Sequence, residues 1–254
     1  LLRALGAMIS RHGPTSATLA PSASAAAPSA PTARIGICVL PFANMSGDAE
    51  QEYFSDGISE DIITDLSKVS ALAVASRNSA FMYKGKQVDV PKVARELKVS
   101  HVLEGSVRKA GGRVRITAQL VDGSSNDSVW AERYDRDLND IFALQDEISE
   151  AIVTALKLKL LPEEKKAIEQ RGTSSLDAYN LYLMARHHYT SGMLSDTRKN
   201  DTVIRLCRGA IELDPDYAQA WALMAVAQRF RLGMTGEGDN GDAAATRAIE
   251  LDAN

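Results

Sequence analysis

The chain has 254 residues, 45% hydrophobic and 24% charged, with a formal net charge of -4. This is the profile of a soluble globular protein long enough for one large domain or two small ones, and so mild a negative balance gives no electrostatic reason to expect direct nucleic-acid contact. The two cysteines, Cys38 and Cys207, stand far apart, so they read as isolated buried thiols rather than a disulfide framework or a zinc site, and no apolar run approaches the roughly 20 residues of a membrane span.

Residues 1–34 form the first region. The start is apolar but short and interrupted by Arg3, too weak for a secretory signal. From Gly13 onward Ala, Pro, Ser and Thr dominate, with Leu19 the sole large apolar residue, so this stretch reads as a disordered linker without a core.

Ile35-Gly36-Ile37-Cys38-Val39-Leu40, closed by Pro41, predicts a buried strand. Asn44 to Asp48 carries turn chemistry. Asp56 reads as an N-cap, followed by Ile58, Ile62 and Leu66 on one helical face. Leu72 to Ala75 reads as a second strand, and Pro91 as the opening of a helix through Val93, Ala94 and Leu97. A meander follows. His101 to Arg108 is one strand, and Val114, Ile116, Ala118 and Leu120 alternate with Arg113, Arg115, Thr117 and Gln119 in the next, one face dry and one wet. Val129 to Tyr134 is a third. Asp140 opens a helix with Ile141, Leu144, Ile148, Ile152 and Leu156 on one stripe. The order of strands and helices predicts an α/β (α+β) mixed-sheet domain over residues 35–161.

Residues 162–254 read as all-α. Leu176 to Tyr189 with Thr202 to Leu213 form one helical pair, and Tyr217 to Leu232 with Asp242 to Leu251 the next. The phrase Ala210-Ile211-Glu212-Leu213-Asp214 returns as Ala248-Ile249-Glu250-Leu251-Asp252, the mark of a helical-repeat array. The offset exceeds the usual ~34-residue period, and the Gly-rich stretch from Gly233 to Asp242 accounts for the excess. The chain opens on Leu and stops where a repeat helix has just ended, so it reads as a piece of a longer protein with its effector elsewhere.

Several constellations carry candidate chemistry. Gly236 to Gly241 has G-x-G-x-x-G spacing, but helices flank it on both sides, so a loop is the better reading. Adjacent helical residues such as His187 and His188 point about 100° apart, and no Cys or carboxylate stands one turn away, which disfavours a metal pair. Asp56, Glu60, Asp61 and Asp65 put carboxylates along one helix. Acid-base work is conceivable there, and a carboxylate-rich first turn suited to the helix dipole is the simpler reading. Arg77 to Lys86 mixes basic and aromatic side chains in an expected loop and offers Arg77, Tyr83 and Lys84 as the best surface site of the sheet domain. Arg108, Lys109, Arg113 and Arg115 add a basic edge that a solvated strand face explains equally well. No P-loop, nucleophile elbow or zinc spacing occurs. The residues therefore call for no catalytic group, cofactor or metal.

Two resemblances build on these residues. The step from Leu213-Asp214-Pro215 into Ala218-Gln219-Ala220-Trp221 is similar to tetratricopeptide repeats. Val39-Leu40-Pro41-Phe42-Ala43-Asn44-Met45-Ser46-Gly47-Asp48 with Glu52-Tyr53-Phe54-Ser55-Asp56-Gly57-Ile58 resembles the opening of the TolB amino-terminal-like domain. Arg77-Asn78-Ser79-Ala80-Phe81, Val102 to Arg108, Val114 to Leu120 and Trp130 to Ile148 extend that likeness. In bacterial signalling proteins this pair of domains lies carboxy-terminal to class III adenylate or guanylate cyclase domains, CadC-type winged helices or kinases. The resemblance implies a non-catalytic regulatory module whose groove, lined by Tyr179, Tyr182, Arg186, Trp221 and Met224 where these are not core, holds a protein or peptide or a second protomer. It also implies a bacterial setting, a soluble segment, and membrane attachment only through a missing upstream part. The alternatives are the sensor half of a winged-helix regulator and, less favoured, a hydrolase using the acidic helix.

Overall fold

A computed structural model describes residues 34–191 and 197–252; the expected linker, Arg34 excepted, lies outside the described residues. The described residues form one compact unit. In it a six-stranded mixed sheet is followed by a helical region.

The sheet is built around β1 (Ile35–Val39). It pairs in parallel with β3 (Leu72–Val74) on one side and with β4 (His101–Ala110) on the other. From β4 the sheet continues antiparallel through β5 (Arg113–Asp122) to β6 (Ser128–Asp137). The short β2 (Ala43–Asn44) resumes the line of β1 along β4. Val39 pairs with Leu103 and Ala43 with Ser106, so the β1–β2 line carries one residue more than its partner across Leu40-Pro41-Phe42, a bulge. Pro41, which cannot donate to a ladder, sits where pairing is already broken.

The alternation expected in β5 is present: Val114, Ile116, Ala118 and Leu120 are fully buried. They face α1 (Glu52–Ser67) and α4 (Ile141–Ala155), with Phe42, Phe54, Ile58, Ile62 and Ile148 in the same cluster. The opposite face of β1 and β4 is covered by α2 (Arg77–Phe81) and α3 (Val90–Leu97), through Cys38, Leu40, Val93 and Val102. Burial without a partner pushes both thiols, Cys38 and Cys207, up to about 12.

Two expectations are corrected. Asp56 is not an N-cap. The chain turns into a 3-10 segment at Ala49–Gln51, capped by Asp48 accepting from the Glu50 N–H, and α1 begins at Glu52. Asp56 lies within the helix and is buried. Arg77 to Phe81 is a short helix rather than loop, started by Ser76, whose hydroxyl accepts from the Ser79 N–H at 3.3 Å. The turn expected over Asn44 to Asp48 is present, with the Asn44 Oδ1 accepting from the Ser46 N–H at 2.9 Å; it starts on the last residue of β2, a strand too short to show a period.

Pro162 opens α5 (Pro162–Glu169). Glu164 clamps the loop before it by accepting from the Leu161 N–H at 3.0 Å and from the Ser70 N–H at 2.7 Å. Then come α6 (Leu176–Ser191), α7 (Thr197–Leu213), α8 (Ala218–Thr235) and α9 (Asp242–Asp252), each packed on the next. Their shared core is rich in alanine: Ala178, Ala185, Ala210, Ala220, Ala227 and Ala244. α8 stops at Gly236, which adopts φ 71°, a left-handed conformation that glycine takes without a Cβ penalty, and donates its N–H to Leu232.

Candidate functional site

The carboxylates of α1 and the polar residues of α6 meet in one seam. Tyr179, Leu183 and Arg186 recur at helical spacing and so share a face. They meet α1 at Gly57, where a methyl group would come 2.7 Å from the Leu183 side chain, so the two helices approach closely because position 57 has none. Arg186 reaches across. Its Nη1 donates to Asp61 Oδ1 at 2.9 Å, its Nε pairs with Glu60 Oε2 at 2.8 Å, and its Nη2 donates to the Gly57 carbonyl at 3.0 Å. The Tyr179 hydroxyl donates to Asp61 Oδ2, and Gln145 Nε2 from α4 donates to the same oxygen at 2.9 Å.

Both ends of the seam are ionic as well. Asp65 is buried, accepts from Lys68 at 3.1 Å and forms an ion pair with Arg171 at 3.1 Å, while Arg171 also holds Asp146. Asp56 pairs with Lys84 at 2.5 Å and stands 3.3 Å from His187 Nδ1. Burial alone raises a carboxyl pKa. At Asp65 burial prevails over Arg171 and Lys68, and the carboxyl rises above its ordinary value. At Asp56 burial is outweighed by the hydrogen bonds from His187 and Lys84, and the carboxyl is held below it. Burial and the neighbouring Asp61 push the Tyr179 phenol well up. Burial works against the Arg186 charge, but Asp61 and Glu60 more than restore it, so its guanidinium stays firmly protonated.

A polar cavity of about 160 Å³ opens beside the seam, walled by Asp61, Gln145, Arg171, Tyr179, Arg186 and Tyr217. A second cleft of about 400 Å³ lies past the end of β1, between the loop after α2 and the middle of β4.

Of the residues singled out in the sequence, Tyr179, Tyr182 and Arg186 converge in the seam, with Arg186 stacked over the Tyr182 ring at 5.3 Å. Tyr182 also packs on Tyr217, their ring centroids 5.1 Å apart. Met224 is in the helical core. Trp221 is half-buried and donates its indole N–H to the Pro215 carbonyl at 2.9 Å. Arg77 binds Glu60 at 2.6 Å and stacks over Phe81, and so belongs to the wall of the seam. Tyr83 and Lys84 line the second cleft; the Tyr83 hydroxyl donates to Glu96 at 2.5 Å. Arg113 and Arg115 both close on Asp135, so two of the four cations of the basic edge share one carboxylate. His187 and His188 diverge, their rings 6.2 Å apart. Among the described residues no group of three or more His, Cys, Asp or Glu is arranged to hold a metal.

Gln145 and Arg171 were missed. Gln145 carried a signal: it stands one turn after Ile141, a polar residue on the apolar stripe of α4. Arg171 had none, because it follows α5 in a connection whose path only the folded chain defines.

Comparison with known proteins agrees with a signalling context. The family model described as HilA/YgeH-like transcriptional regulator, second domain, matches residues 33–151. The protein named "Putative adenylate cyclase 3" of Rhizobium meliloti (strain 1021) is 49% identical over 207 residues, 81% of this chain and 35% of that protein. The chain thus spans about a third of the length of that curated relative. Among solved structures, TolB from Acinetobacter baumannii aligns over 50% of this chain and 29% of its own, with TM-score 0.39 and 20% identity. The LpoB C-terminal domain from Salmonella enterica aligns over 42% of this chain and 84% of its own, with TM-score 0.33 and 16% identity. No helix among the described residues is long and apolar enough to cross a membrane.

Proposed function

We propose that this segment is a non-catalytic regulatory module of an adenylate cyclase-like bacterial signalling protein, in which the sheet region holds tetratricopeptide-type helical pairs in a fixed orientation. The observation that carries this is the seam. Asp56, Glu60, Asp61 and Asp65 each have a cationic partner, three of them including one on α6 or in the connection before it. Carboxylates so engaged position a helix; they are not poised as a free acid and base. The likeness to the Rhizobium protein supplies the cyclase context. The partner, a protein segment of the parent or of a second protomer, would meet the outward side of α8, where Val226, Phe230 and Met234 are exposed at four-residue spacing and Trp221 is half-buried.

The test replaces the matching part of the Rhizobium protein with this chain and measures cyclic AMP. The chimera should respond to Phe230→Ala or Trp221→Ala with an output changed several-fold while the segment stays folded. An output identical with the segment, with its variants and with the segment deleted would refute the reading. A second reading, the sensor half of a transcriptional regulator, is favoured by the family match over residues 33–151. It predicts that the segment joined to a winged-helix DNA-binding domain changes reporter transcription, with the same α8 variants abolishing the change.

A further inference from the structure

The second cleft occupies a privileged place in the sheet. β1 lies between β3 and β4 and is parallel to both. α1 covers one face, and α2 with α3 the other. The chain leaves β1 toward β3 on one side and returns past it to β4 on the other, so the strand order reverses at β1. In open sheets of this kind ligands bind beyond the carboxyl end of the strand where the order reverses, and the cleft of about 400 Å³ is at that end.

Its charges are distributed unevenly. Lys84 is already shared between Glu52 at 3.0 Å and Asp56 at 2.5 Å, so this group is closed. Lys86 and Glu104 also line the cleft, and among the described residues neither side chain has an ion pair or a hydrogen bond, with each other or with a third group. Lys86 is exposed and Glu104 half-buried on β4. Apolar surface from Pro41 and Val88 lies in the same wall. A simple anion would meet Glu52 and Glu104, and a simple cation would meet Lys84 and Lys86. A molecule carrying both charges and an apolar arm satisfies all of them.

We propose that this cleft binds a free α-amino acid with an apolar side chain, its carboxylate on Lys86, its ammonium on Glu104 and its side chain against Pro41 and Val88. This site is separate from the α8 surface and does not depend on the partner reading. The experiment is calorimetric titration of the whole chain with L-leucine, N-acetyl-L-leucine and L-leucinamide. L-leucine should bind saturably, and each analogue, lacking one charge, should bind roughly tenfold more weakly. Lys86→Met should bind L-leucine and L-leucinamide equally, and Glu104→Gln should bind L-leucine and N-acetyl-L-leucine equally, with unfolding midpoints little changed because neither side chain holds an ion pair or a hydrogen bond in the fold. Absence of saturable L-leucine binding, equal binding of the three probes to the unaltered chain, or affinities untouched by both substitutions would overturn the proposal.

Discussion

The sheet region and the helical region are held together by different means. Under the sheet the core is made of Phe42, Phe54, Ile58, Ile62, Ile116, Leu120 and Ile148, side chains that bury much apolar area each. Among α6 to α9 it is dominated by alanines, which let helices approach but bury little. A region of the second kind gains stability from neighbour on neighbour and needs an anchored end. α6 supplies that end: Tyr179 and Leu183 belong to the sheet core, while Ala178 and Ala185, on its other side, belong to the helical core. Charge is buried where the two regions join: beside the apolar contact of Tyr179 and Leu183, Arg186 ties α6 to Glu60 and Asp61 of α1.

The sharpest way to break this contrast is Arg186→Met. It leaves the half-buried Asp61 without its cation and the buried Glu60 with Arg77 alone, a loss of about 3 kcal/mol, read by urea unfolding. Ile62→Ala should cost about 2–5 kcal/mol through a cavity and lower the stability of both regions together, since α6 rests on α1. Gly57→Ala should cost about 1–3 kcal/mol by overpacking, because the new methyl meets Leu183; pairing it with Leu183→Ala should recover part of that loss, a coupling that a double-mutant cycle measures.

A smaller effect sharpens the account of the seam's end. The Asp56 carboxyl is held low in the folded chain. Its stabilisation is therefore present above the unfolded carboxylate value and fades as pH falls through the folded one. The stability difference between the unaltered chain and Asp56→Asn should shrink as pH drops through that window. Asp65, raised by burial, acts in the opposite sense, since the folded chain holds that proton more tightly and its contribution declines as pH rises past the unfolded value. At the other extreme, Arg115→Ala on the exposed edge should leave the unfolding midpoint unchanged, because its pair with Asp135 is open to solvent.

Much of the fold was legible in the residues. The alternation in β5, the apolar stripe of α4, Pro91 at a helix start, and the repeated phrase ending α7 and α9 all have local physical causes, and local causes leave periodic marks. What could not be read is non-local. The bulge at Leu40-Pro41-Phe42 is defined by its partner strand. Asp56 has the chemistry of a cap, and only the preceding 3-10 turn moves the helix start ahead of it. The acidic helix was visible as a cluster, but its purpose depends on Arg186, Arg171 and Lys84, brought from distant parts of the chain. Tyr179 and Arg186 look like groove residues on a single helix; the presence of α1 against that face makes them internal.

The measurement closest to the central claim is hydrogen exchange by mass spectrometry on the unaltered chain and on Arg186→Met. If the seam anchors the helical region, amides of α6 to α9 should lose protection in the variant while β4, β5 and β6 keep theirs. Equal loss in both regions, or no loss in either, would contradict it.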